Sequence, residues 1–426
     1  MKRVVILCVW LFSVVAGHAQ LSLDECRRLA RENYPEIRQY DLVHQTEQYN
    51  LSNAARAWIP QLAFSAQATW QTDAPNFPKE LIGMLAQQGL EIPGLRKDQY
   101  KVALELNQTI WDGGKSVADK RIARAEAAEQ KTMTDVDLYE LEGRVDDLYF
   151  GILLLDERIA QTNLTLNLLR SNLEKVRALQ RNGVAMQSDA DVLEAELLSV
   201  GQQLIQFESS CDSYRRMLGI FIGQKVGDRK LQRPSAVQLL SGESARPELA
   251  MFAAKIDRLT AQEKMVKSSS MPRLGFFAQG YYGYPGLDYM QGMMNSDWSW
   301  NAMLGVKLSW NFGAYYTQKN NLDKLRTSRQ QVEVQRDVFL FNMNLQAAQE
   351  NGDIARLRKA IADDDRIVAL RRSVREAAES KLRNGIIDTH DLLSKITDES
   401  TASMARSMRE IELLKAIYEY KHTINR

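Results

Sequence analysis

Prolines set the strongest limit on this chain. All nine, Pro35, Pro60, Pro75, Pro78, Pro93, Pro234, Pro247, Pro272 and Pro285, leave 94–233 and 286–426 free of the residue that helix interiors reject. In the first gap Leu138, Leu141, Val145, Leu148, Ile152, Leu155 and Ile159 recur at steps of three and four, and Leu166, Leu169, Leu173 and Val176 resume the phase after Thr162. That heptad seam predicts a helix over about 115–181, roughly 100 Å long at ~1.5 Å per residue, more than a globular domain uses. The second gap keeps the step at Ile367, Leu370, Val374 and Ala377 and predicts a second long helix over about 315–383.

Four shorter segments follow a period of two instead. In 61–71 Leu62, Phe64, Ala66, Ala68 and Trp70 alternate with Ser65, Gln67 and Thr69; in 99–111 Val102, Leu104, Leu106 and Ile110 alternate with Lys101, Glu105 and Asn107. Segment 299–311 is the clearest, with Trp300, Ala302, Leu304, Val306, Leu308 and Trp310 against Asn301, Lys307, Ser309 and Asn311. Segment 273–284 is blurred by Phe277 and Tyr281 on its expected polar face. Each is a strand with one apolar face, of the length a tilted strand needs to cross a bilayer. Packing on helices in a soluble protein is the other use of such alternation. Tryptophan favours the membrane: Trp58, Trp70, Trp111, Trp298, Trp300 and Trp310 all fall in or beside these strands, and indoles gather at membrane interfaces.

Lys2 and Arg3 precede an apolar run from Val4 to Val15, with Gly17-His18-Ala19 as a small-residue cleavage site. Residues 1–19 therefore read as a secretory signal peptide, with a signal anchor as the alternative. Lys and Arg total 55 against 54 acids, a net charge of +1 that becomes −1 without Lys2 and Arg3. Such a balance provides no basic footprint for nucleic acid. Only Cys26 and Cys211 lie beyond the signal peptide, so disulfides cannot carry the fold, and whether the two pair is open.

The order of elements occurs twice. "WIPQL" at 58–62 answers "SMPRL" at 270–274, Tyr34-Pro35-Glu36 answers Arg246-Pro247-Glu248, Gly113 answers Gly313, and Arg181-Asn182-Gly183 answers Arg383-Asn384-Gly385. The expected organisation is a first repeat over 20–232 with its tip at 181–189, a connection over 233–245, and a second repeat over 246–426 with its tip at 383–391. Four strands cannot close a barrel, and every strand edge in lipid must be paired, so several protomers must share one sheet.

These pieces together resemble the TolC-type outer-membrane efflux channels of the outer membrane efflux protein family. The resemblance is carried by "LSLDECRRLARENYPEIRQY", "NQTIWDGGKS", "LSWNFGAYY" and the two "RNG" tips with the "VAMQSDADVLEAE" and "IIDTHDLLSKITD" that follow them. It implies a mainly α fold with a membrane contribution: a homotrimer whose 12-stranded β-barrel, embedded in outer-membrane lipid, is continued by an α-helical tunnel in the periplasm. It further implies a passive conduit for efflux or type I secretion, docked by a periplasmic adaptor (membrane fusion) protein and an inner-membrane pump. An exported coiled-coil scaffold or adaptor is the competing class, which has no use for four Trp-flanked strands.

The site residues follow from both readings. Gly113, Gly114 and Gly313 stand at the strand-to-helix turns, where the "GGKS" run lacks the first glycine of a phosphate-binding loop because position 109 is Thr. Asp112 either caps the following helix or sits in water. Trp70, Trp111, Trp300 and Trp310 are the membrane-interface aromatics. Arg181, Asn182, Gly183, Arg383, Asn384 and Gly385 form the tips, which the resemblance makes adaptor-docking sites. Asp189 and Asp391, each six residues past a tip glycine, are either ordinary first-turn acids or a periplasmic gate, with Asp391 facing the pore and Asp189 bonded to a neighbouring helix. Leu382 and Ile387 stand where the best-known family members place polar gate-linking groups. His44, His390 and His422 are widely spaced and no HExxH, CxxC or GxSxG occurs, so no catalytic site, metal site or cofactor is expected.

Overall fold

The computed structural model describes residues 20–89, 92–235 and 244–425. The expected signal peptide at 1–19 and most of the connection at 233–245 lie outside them. In chain order the elements are α1 (Leu23–Asn33), α2 (Gln39–Arg56), β1 (Gln61–Trp70), α3 (Lys79–Gln87), β2 (Asp98–Trp111), α4 (Lys115–Arg181) and α5 (Gln187–Ile222). The second copy follows as α6 (Pro247–Ser268), β3 (Arg273–Tyr284), α7 (Tyr289–Asn295), β4 (Ser299–Ser309), α8 (Ala314–Arg383) and α9 (Thr389–Ile424). Pro247 opens α6, the helix position where its missing N–H does no harm, and Pro35 sits in the one-turn helix that separates α1 from α2. Contacts divide the chain into a strand unit, Tyr40–Lys131 with Met251–Gln335, and a helical unit made of the described parts of Met1–Gln39, Thr132–Ala250 and Arg336–Arg426.

In the strand unit the four strands form one antiparallel sheet in the order β1-β2-β3-β4, so the two copies meet at the β2–β3 pair. The register keeps side chains of one kind on one face. Leu62, Leu106, Ala278 and Leu304 make one row across the sheet, and Ala66, Val102, Tyr282 and Trp300 another. On the opposite face Ser65, Ala103, Tyr281 and Asn301 line up, next to Ala63, Glu105, Gln279 and Met303. The two aromatics that blur β3 answer residues on its neighbours. Phe277 covers Gly305, where an added Cβ would lie 3.0 Å from the ring, and Tyr281 lies under the Lys101 ammonium, 4.5 Å from the ring centre. The connecting loops contain α3 and α7, which the period-two pattern does not reveal. They are tied together: Gly94 N–H donates to the Met293 carbonyl at 3.1 Å, and Arg96 N–H to the Tyr284 hydroxyl at 2.8 Å.

The helical unit is built on α4. Leu138, Leu141, Val145 and Ile152 of its seam are fully buried, and Tyr149 and Phe150 between them are buried too. Tyr149 donates its hydroxyl to the carbonyls of Leu21 and Gln232, at 2.8 and 2.6 Å, beside the short bridge between Leu21 and Leu231. Further along α4, Leu166, Leu169, Leu173 and Val176 join Ala190 and Leu193 of α5, Ala378 of α8, and Leu392 and Ile396 of α9 in one apolar cluster. Such burial is the main force holding two helical hairpins together. Cys26 and Cys211 are both free and buried, and burial raises the Cys26 thiol to about 12.

Candidate functional site

The sheet has an unusual surface for a folded chain. On its apolar face Phe64 is 73% exposed, Leu304 74% and Trp300 82%, and Leu62, Val306, Leu308 and Trp70 are bare as well. An apolar face this continuous is where soluble proteins place a core or a partner. Its two ends are aromatic. Tyr100, Tyr282, Trp298 and Trp300 gather at the end nearer α3 and α7, with the Tyr282 and Trp300 rings 5.0 Å apart and Tyr100 stacked on Trp298 at 5.7 Å. Trp111, Trp310 and Phe312 lie at the other end, where the Trp310 and Phe312 rings are 4.8 Å apart. Among the described residues β1 and β4 each pair on one side alone, which leaves two edges of backbone donors and acceptors open.

Both strand-to-helix turns lie beyond the second strand of each copy, and they are built differently. Gly113 and Gly114 adopt φ of 70° and 86°, and a Cβ on Gly113 would lie 2.7 Å from the Met271 Cβ. Asp112 is the cap: it accepts the N–H groups of Gly114 at 2.9 Å and Ser116 at 2.6 Å, and the Ser116 hydroxyl as well. Burial pushes the Asp112 carboxyl up, but these donors outweigh it and hold it below the usual range. Gly313 shares the position in its turn but not a positive φ; Asn311, Phe312 and Gly313 instead accept the N–H groups of Ala314, Tyr315 and Tyr316.

At the tips the two copies share one backbone design. Gly183 at φ 74° and Gly385 at φ 66° end their helices, with Val184 N–H donating to Leu179 and Ile386 N–H to Lys381, both at 2.9 Å. This six-to-one bond is the left-handed helix stop that glycine permits. Arg181, Asn182, Gly183, Arg383, Asn384 and Gly385 are all exposed.

The acids beyond the tips differ in what they do. Position 186 is Met, which has no good capping oxygen, so the Asp189 carboxylate reaches back to the Met186 N–H at 2.8 Å. The equivalent residue in the second copy is Asp388, which caps α9 by accepting the Asp391 N–H at 2.8 Å. Asp391 is thereby released: it is exposed, and its carboxylate makes no bond among the described residues. Asp189 thus serves its own helix start among the described residues. Leu382 and Ile387 pack against the apolar cluster of the tips.

Sequence reasoning missed an ion-pair ladder above the tips. Arg375 reaches Glu399 and, at 2.6 Å, Glu379; Lys175 of α4 reaches Glu379 at 3.3 Å, and Arg371 reaches Asp398 at 2.8 Å. The spacing of Arg375 and Glu379 is the one local signal for it. Among the described residues no group of three or more His, Cys, Asp or Glu side chains is arranged to hold a metal, and no helix is long and apolar enough to cross a membrane.

The model of one family, described as outer membrane efflux protein, matches residues 27–223. The fold matches the solved outer-membrane channel OprN with a TM-score of 0.70 at 14% identity, covering 94% of this chain and 89% of that one. It matches the outer membrane protein VceC of Vibrio cholerae at 0.66 and 15% identity, covering 94% and 95%. It also matches the CmeC outer membrane channel of Campylobacter jejuni at 0.65 and 13%, covering 94% and 85%. At these identities the structural likeness speaks for the fold. A search of curated proteins finds no match.

Proposed function

We propose that the chain, which matches the outer membrane efflux protein family over residues 27–223, forms the outer-membrane channel of a tripartite efflux or type I secretion system. Three copies pair their strand edges into a 12-stranded barrel in the outer membrane, and their long helices line a tunnel in the periplasm. The chain performs no catalysis; it supplies a path that an inner-membrane pump drives through a periplasmic adaptor. The observation that carries this reading is the bare apolar face of the sheet between two aromatic rims, together with two unpaired strand edges. Lipid covers such a face at no cost in polar groups, and a neighbouring strand satisfies each edge.

The tips are the docking end in this reading, and Asp391 is the gate acid. Three carboxylates near one axis repel one another and attract cations. Docking is tested at Gly183 and Gly385, where a Cβ meets nothing within 4 Å but the positive φ strains any side chain. Gly183→Val and Gly385→Val are expected to abolish export in a strain that depends on this channel while the trimer still assembles. Normal export in both variants would contradict docking at the tips.

A further inference from the structure

We infer that the polar face of the sheet holds an anion-selecting site built on Arg273 and Lys307. The inference rests on the channel reading, which makes this face the barrel lumen. A cavity of about 580 Å³ lies against β3, β4 and the start of α4, and it is lined by Arg273, Lys307 and Lys115 on one hand and Glu105, Asp112 and Asp119 on the other. Formal charges balance there, but the acids are already engaged. Asp112 holds the N–H groups of Gly114 and Ser116, and Asp119 is paired with Lys115 at 2.8 Å. Glu105 accepts from the Gln279 amide, whose oxygen accepts from Lys101 at 3.0 Å.

The side chains of Arg273 and Lys307 make no hydrogen bond or ion pair among the described residues. The β3–β4 register sets Arg273 opposite Ser309 and Lys307 opposite Gly275, so the two cations are diagonal neighbours on one face, roughly 7–8 Å apart. Gly275 places no side chain across from Lys307, which leaves open space beside the charge. Two like charges held this way attract a counter-charge, and a guanidinium fork beside an ammonium suits a carboxylate or phosphate group. Lipid meets the opposite, apolar face, so the occupant is an acidic group on a solute passing along the lumen. Threefold assembly presents three such pairs to one path, opposite in sign to the Asp391 carboxylates.

The test uses the full-length trimer and inorganic tripolyphosphate. The anion is titrated by calorimetry into detergent-solubilised trimer and added to each side of a planar bilayer containing it. Saturable binding is expected, with channel block from the strand side. Both weaken roughly tenfold in the Arg273→Gln, Lys307→Gln double variant and survive in Arg273→Lys, the loss being that of two exposed charge contacts. Absence of binding by the wild type, or equal binding and block by the double variant, overturns the site. A wild-type chain that shows no channel steps refutes the channel reading itself, and with it the lumen assignment.

Discussion

The two long helices carry the same kind of seam and treat it in opposite ways. Along α4 the seam from Leu138 to Val176 is buried inside the chain, Thr162 included, with Ile159 half-buried. Along α8, Ile367, Leu370, Val374 and Ala377 are exposed, and so are Val338, Phe341 and Leu345, which keep the same three-and-four step. The tips repeat the contrast, since Asp189 closes on its own helix and Asp391 is left free. A heptad seam is stabilising only where a second surface meets it. On the channel reading, the difference marks which copy builds the protomer and which faces the assembly. Leu198 and Ile205 of α5, 64% and 66% exposed, offer an apolar surface of matching character on the same unit.

Substitutions that treat the two seams alike sharpen this contrast most. Leu141→Ala removes a fully buried side chain and is expected to destabilise the folded protomer by about 2–5 kcal/mol, read by chemical denaturation. Leu370→Ala is expected to leave protomer stability nearly unchanged while lowering the temperature at which the trimer dissociates. Equal effects of the two on the protomer would break the comparison.

The same logic applies to the sheet. Leu304→Arg on the apolar face is expected to impair assembly into the outer membrane, at about 2–4 kcal/mol for a charge at the bilayer midplane. Ser65→Arg on the polar face is expected to assemble as the wild type does, as judged by heat-resistant trimer on a gel. Equal tolerance of both would remove the membrane assignment. The smallest structural effect is expected at the tips. Asp391→Ala should leave stability unaltered and weaken cation selectivity in planar bilayers, whereas Asp189→Ala should shift selectivity less and cost about 1 kcal/mol of helix capping. Unchanged selectivity in Asp391→Ala would make Asp391 a helix-start residue only.

Much of the fold was legible because its signals are local and long. Proline-free gaps with a heptad step give the long helices, and clean alternation at Trp300–Trp310 gives a strand. The irregular strand shows where locality ends: Phe277 and Tyr281 violate the pattern of β3 because they answer Gly305 and Lys101 on other strands. The helices α3 and α7 are too short for a periodic signal to accumulate. Equating Gly113 with Gly313 on sequence offset concealed two different turns, one needing positive φ and one not. The two acids beyond the tips were visible as a shared spacing, but their different bonding turns on Met186 against Asp388, three residues earlier, and on backbone geometry at the cap. The Arg375 ladder depends on which helices pack together, and that is decided by the apolar cluster beneath it.

The central claim is that the bare seam and open strand edges of this chain are covered by further copies of itself, and its bare sheet face by lipid. Native mass spectrometry of the protein extracted from outer membranes in mild detergent tests it directly. The account predicts a complex of three copies without a significant monomer peak, which falls apart to folded monomers when Leu370 and Val374 are both replaced by Asp. A wild-type protein that is monomeric, or a trimer indifferent to that double replacement, would contradict it.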